Sequence, residues 1–225
     1  VSSLLTTAHR VLGVRLEDGS ELHARAVVLT TGTFLNGLCH VGEDSHAAAR
    51  HGDPAAVGIS QSLSDMGILL RRFKTGTTPR VDARTVDFSR LDVLPADPTC
   101  RPFSFLHERL PVERPLLACW TLQTNAATHE VILSDLHRSA MYSGRIEGIG
   151  PRYCPSIEDK LVRFPDKDSH PVFLEQEEWD SVSLYVQGMS TSLPADTQLR
   201  FLRTLRGLEQ VEMLRPGYAV EYDVA

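Results

Sequence analysis

The feature that most constrains this chain is a continuous apolar run, Ala26-Val27-Val28-Leu29, that empties into Thr30-Thr31-Gly32-Thr33. Unbroken apolar character over so few residues suits a strand covered on both faces, as in the sheet of an α/β protein. An exit made of small residues and a glycine lets a ligand come close to the backbone. Upstream, Val11 to Leu16 also reads as a strand, and Glu17-Asp18-Gly19-Ser20 supplies the turn of a hairpin to a second strand over 22–30.

The later pattern alternates. It predicts a helix over about 55–66 closed by Gly67, a strand over 68–74, a turn from Thr75 to Arg80, and loops with short strands over 82–115. A strand over 116–124 is followed by a helix capped by Asn125 and running to about His137. Strands are expected over 161–164, 172–175, 211–214 and 218–222. The last helix starts with Pro194 at its first position, carries a Leu199, Leu202 and Leu205 stripe, and stops at Gly207. This alternation argues an α/β fold. The phosphate-binding G-x-G-x-x-G is nowhere in these residues, so either the fold differs or that strand lies upstream of Val1.

The net charge of −6 supplies no global field that would draw in nucleic acid, so any RNA contact must be local. Cys39, Cys100, Cys119 and Cys154 form no C-x-x-C pair, which disfavours a zinc site and fits a reducing compartment. His40, His46 and His51 lack helical spacing, and no metal is assigned. No run approaches the roughly 18 apolar residues a membrane span needs, so no membrane partner is expected. The first residues, lacking a basic n-region and an initiator Met, look like a cut inside a longer protein.

Five segments, in order, resemble one family. They are Val27 to Leu35, Lys74 to Arg80, Gly150 to Lys160 (Gly-Pro-Arg-Tyr-Cys-Pro-Ser-Ile-Glu-Asp-Lys), Gly188 to Pro194, and Arg215 to Asp223. The family is that of the FAD-dependent tRNA uridine 5-carboxymethylaminomethyl modification enzymes (GidA/MnmG). The resemblance implies a partial glutathione-reductase-like FAD-binding fold with an inserted α/β domain. Residues 1–75 would be the later part of the FAD domain, 76–178 the insertion with an NAD-contacting segment, and 179–225 the return. It also implies an activity: adding a carboxymethylaminomethyl or aminomethyl group at C5 of the wobble uridine of tRNA. FAD and NADH would be cofactors, methylene-tetrahydrofolate a co-substrate, and a GTPase of the MnmE type a partner. A homodimer in the cytoplasm, or alternatively the mitochondrion, would be expected. Where the family usually has Pro, His, paired glycines and Ser, this chain has Thr78, Gln123, Ala48 with Ala49, and Ala56.

Each candidate residue has an ordinary reading beside the functional one. A lone cysteine is more often a small core residue than a nucleophile. Cys154, however, sits between Arg152 and Lys160, and a nearby cation stabilises a thiolate. Pro151 and Pro155 stiffen its loop. The resemblance implies that Cys154 is the cysteine needed for activity, attacking the pyrimidine to activate C5. It implies that Gly150, Pro151, Arg152, Tyr153, Cys154, Pro155, Ser156, Ile157, Glu158, Asp159 and Lys160 contact NAD; otherwise they are a rigid loop with solvated ion pairs. Gly32 and Thr33 would pass the flavin. Lys74, Arg80 and Arg84, with Arg71 and Arg72, concentrate positive charge and suit either a solvated strand edge or contact with tRNA phosphates. Rival readings are a folate-dependent tRNA methyltransferase of related fold, another flavoprotein oxidoreductase, or a non-catalytic scaffold piece.

Overall fold

A computed structural model describes residues 1–8, 10–110, 115–150 and 154–225. Among these residues the strands form three sheets, and every ladder between them is antiparallel. The first is a small meander of β1 (Ser3–Thr7), β2 (Arg10–Arg15) and β3 (Glu21–His23). The expected hairpin is there, with Gly19 taking the positive φ of 86° that its turn requires. β1 was not foreseen; its pairing with β2 turns the hairpin into three strands.

The second sheet joins β4 (Leu38–Val41), β5 (Asp44–Ala47), β6 (Arg71–Thr77) and β13 (Tyr218–Val224), in the order β5-β4-β13-β6. β6 runs on through Thr75-Gly76-Thr77, where a turn was expected, because β13 pairs with it from Arg71 to Thr77. Helix α1 (Gly58–Asp65) precedes β6 and ends as predicted, with the Gly67 amide returning to Ser64 and that of Ile68 to Leu63.

The third sheet has the order β12-β7-β11-β10-β9-β8. Its strands are β7 (Arg80–Asp82), β8 (Asp92–Leu94), β9 (Cys119–Gln123), β10 (Pro171–Gln176), β11 (Ser183–Gln187) and β12 (Met213–Arg215). Helices α2 (Ala126–Ser134), α3 (Ile157–Arg163) and α4 (Ala195–Leu202) cover it. The main core lies between them, built by Ile132, Ile157, Leu161, Phe201 and Leu202 against Val172, Leu174, Leu184 and Val186. Asn125 caps α2 as expected, in a capping box with Thr128.

Three more expectations need correction. The run Ala26 to Leu29 is not a strand: no described strand lies beside it, and Val28 is 83% exposed. Apolar character alone forms no ladder without a neighbour to accept its hydrogen bonds. Residues 161–164 are not a strand either, since α3 occupies Ile157–Arg163. The deciding signal was present in the sequence: Ser156 and Asp159 form a capping box, with acids in the first turn and bases in the last. Finally, α4 ends at Leu202, short of Gly207, and has Pro194 as its N-cap rather than its first residue. Tight turns (Thr204 N to Phe201 O, Leu205 N to Leu202 O) carry on from there and drop Leu205 and Leu208 into the core.

No helix among the described residues is long and apolar enough to cross a membrane. Phe201 is fully buried at the centre of the main core. Phe201→Ala is expected to lower unfolding free energy by about 3–5 kcal/mol, read as a shift of the urea midpoint at unchanged slope.

Candidate active site

The site is assembled on β6. One edge of this strand pairs with β13, and the other receives residues 147–150. The Ile149 amide donates to the Arg72 carbonyl at 3.2 Å, and the Lys74 amide donates to the Ile149 carbonyl at 3.1 Å. Gly148 is required by this docking: a Cβ there would lie 2.9 Å from the Phe73 carbonyl carbon and oxygen.

A buried carboxylate fixes the same segment. Glu221, opposite Lys74 in the ladder, accepts the amides of Glu147 at 2.9 Å and Gly148 at 2.7 Å through Oε1. Its Oε2 lies 3.0 Å from His40 Nε2, with both side chains almost wholly buried. Every polar contact of this carboxylate is therefore made inside the protein, which allows a charge to sit there.

Past residues 151–153, which lie outside the described residues, the chain reappears at Cys154. Its Sγ is 3.6 Å from Thr75 Oγ1, again on β6. Pro155 leads into α3, whose cap Ser156 accepts the Asp159 amide at 3.1 Å. The Ile157 amide donates to Ser190 O at 2.7 Å, so the start of α3 is fastened to the loop after β11. Glu158 is fully buried; its Oε1 accepts Ser139 Oγ at 3.1 Å and the Ser192 amide at 3.0 Å. Asp159 accepts the Ser156 amide at 3.0 Å and the Tyr142 hydroxyl at 3.1 Å. Burial, followed by this carboxylate, holds the Tyr142 phenol above its ordinary range.

These elements enclose a cavity of about 320 Å³ lined by Lys74, Met141, Gly148–Gly150, Cys154, Pro155, Asp159 and Arg163. The other cysteines sit elsewhere. Burial pushes the Cys39 thiol up to about 11 and raises that of Cys119, and Cys100 is exposed. Cys154 is the half-buried thiol that faces a cavity.

Of the residues singled out in sequence, Gly150, Cys154, Pro155, Asp159 and Lys74 come together here. Ser156, Ile157 and Glu158 build the helix that holds the wall. The Lys160 ammonium donates to Gly188 O at 3.0 Å, and burial lowers its pKa. Pro151, Arg152 and Tyr153 fall outside the described residues. Gly32 and Thr33 belong to a separate loop. Gly32 has φ 53° and open space around it, while the Thr33 hydroxyl donates to Ala49 O at 2.9 Å.

The basic residues do not make one surface. Lys74 is buried. The Arg80 guanidinium donates to Glu177 at 2.8 Å and stacks on Tyr185, and Arg84 is exposed but paired to Asp82. Sequence reasoning missed Glu221, His40 and Tyr142, since each reaches the site from a distant element and no local spacing marks it. Of the departures, the Thr78 hydroxyl donates to Val186 O, Ala48 and Ala49 are buried, and Ala56 packs with Leu35 and Ile59.

A family model described as "Glucose inhibited division protein A" matches residues 1–225. A relative from Geobacter sulfurreducens, named "tRNA uridine 5-carboxymethylaminomethyl modification enzyme MnmG", is 52% identical over 99% of this chain and 35% of its own length. One of the same name from Nitratiruptor is 48% identical over 99% of this chain and 36% of its own length. The chain thus spans about a third of the length of these curated relatives. Aquifex aeolicus GidA in its form I crystal superposes with a TM-score of 0.89 at 46% identity, over 100% of this chain and 38% of that one. The mixed helices and sheets together with this match show that the chain has the fold of the corresponding part of GidA.

Replacing Glu221 with Leu is expected to cost about 3–5 kcal/mol, because His40 and two buried amides lose their partner. Urea unfolding reads that loss. Iodoacetamide labelling of Cys154 should speed up at the same time, as the segment ahead of it is released.

Proposed function

The chain belongs to the glucose inhibited division protein A family, and from that membership we infer that it forms part of an enzyme modifying C5 of the wobble uridine of tRNA. Cys154 is the nucleophile in this reading. What supports it most is one observation: the thiol opens on a cavity whose walls are held by buried hydrogen bonds from three separate segments. Such support keeps a reacting atom in place without a large entropic cost on binding. A thiolate at this position adds to C6 of the uracil ring and makes C5 nucleophilic.

The remaining parts of the reading follow the family. FAD with NADH, when bound, supplies the redox chemistry, and methylene-tetrahydrofolate supplies the carbon. Gly32 fits a place beside the flavin, because its backbone is open on the side where a Cβ would stand. Thr33 holds that loop to Ala49. We assign nicotinamide-cofactor contact to the Gly150 to Lys160 stretch and divide the chain at 75/76 and 178/179. A GTPase of the MnmE type, a second copy of the chain and the bacterial cytoplasm complete the proposal, with the mitochondrion the alternative compartment. Arg84, whose side chain is 72% exposed, is the basic residue best placed to reach a tRNA phosphate. Lys74 and Arg80, being largely buried, are poorly placed for that role.

Cys154→Ser in the full-length protein should fold and retain flavin but lose tRNA modification. A variant with undiminished modification would exclude the nucleophile assignment. Separately, Arg152→Ala should raise the KM for NADH several-fold with little change in flavin content; an unaltered KM would remove that residue from the cofactor site.

A further inference from the structure

Lys74 holds a position that neither a solvated strand edge nor an RNA-backbone contact explains. Its side chain is 4% exposed, and it passes Gly150 (Cδ lies 3.7 Å from where a Cβ would be) on the way to Asp159. The nearest carboxylate oxygen, Asp159 Oδ2, is 4.0 Å from Nζ, which is beyond hydrogen-bond range. That oxygen already accepts the Ser156 amide, and Oδ1 accepts the Tyr142 hydroxyl. Among the described residues the Lys74 ammonium therefore has no hydrogen-bond acceptor, although it has three N–H groups to satisfy. An ammonium so deeply set is costly unless water or a ligand oxygen in its cavity accepts from it. Asp159 keeps the charge compensated without occupying its donors, and among the described residues Arg163 is the other cation lining the cavity. Lys74 and Cys154 both line this space, a cation with unused donors and a thiol.

We propose that Lys74 is a catalytic residue that stabilises the oxyanion formed when Cys154 adds to the uracil ring. This rests on the assignment of Cys154 as the nucleophile and gives that site its missing electrophilic group. The Cys154 thiolate forms a bond to C6, and the C5–C6 π pair shifts so that charge develops on the C4 oxygen as an enolate. Lys74 donates a hydrogen bond to that oxygen. C5 is then nucleophilic, and in the absence of a carbon donor it takes a proton from solvent. Loss of the original C5 hydrogen and expulsion of the thiolate restore the uridine, with no oxidant or reductant consumed. A fixed donor aimed at developing charge in a dry site is worth most in the transition state and little in ground-state binding. Lys74 should therefore govern kcat rather than tRNA affinity.

The test is exchange of the C5 hydrogen of the wobble uridine with solvent. It uses full-length protein and tRNA carrying tritium at C5, and needs neither NADH nor the carbon donor. Wild-type protein should release tritium, and Cys154→Ser should release none. Lys74→Met, close in shape and uncharged, should release it roughly 100-fold more slowly with unchanged tRNA binding, the scale of removing one oxyanion donor. Lys74→Arg should recover part of the rate, since a charged donor returns. Full release by Cys154→Ser, or none by wild type, would overturn the nucleophile assignment and this proposal together. If Cys154→Ser is inactive while Lys74→Met matches wild type, the Lys74 proposal alone falls. Should Lys74→Met not fold, Lys74→Gln carries the same comparison, and a wild-type rate in that folded variant would equally refute the role.

Discussion

A carboxylate buried inside a sheet is the constraint on which the site depends. Glu221 reaches from β13 across β6, takes two amides of the 147–150 segment, and meets His40 from β4. Ionised groups are tolerated at such depth only when their lone pairs are occupied, so the strand, the segment and the histidine must assemble together. Apart from that carboxylate, two hydrogen bonds at Ile149 join the described residues 147–150 to β6. The geometry of the cavity thus originates in a residue that does not line it.

The same economy appears in the wall opposite. Helix α3 is short, and its sequence makes it self-starting: Ser156 and Asp159 satisfy each other's amides, and the fully buried Ile157 fastens the first turn to the main core. Asp159 then performs three tasks with one side chain, capping the helix, receiving Tyr142 and compensating the charge of Lys74. Glu158 secures the neighbouring loop at Ser192. Two adjacent acids, which on most helices would be solvated, here tie together segments well separated in sequence.

Much of this was legible in the residues, though unevenly. The hairpin before Gly19, the cap at Asn125 and the stop at Gly67 were readable because each is decided by neighbours within a few positions. Cys154 stood out mainly through the order of motifs, and the fold sets it on a cavity. What failed was whatever depends on a partner far away. Ala26 to Leu29 carries strand character that no strand among the described residues completes, and Lys74 looked like part of a basic stripe until the fold buried it. Nothing local tied Glu221 to His40, 181 positions apart. α3 was misread for a different reason: its capping box was present, but the residues at its end were read as a strand.

The short link from Thr75 to Ser190 has a mechanical meaning. Cys154 rests against the four-stranded sheet at Thr75, and three residues later the Ile157 amide is tethered to the loop leaving β11 in the six-stranded one. The sulfur consequently sits at a seam, like a pointer hinged on two plates. A slip of a single ångström between those plates cannot be absorbed over so few bonds, and it would be transmitted to the sulfur.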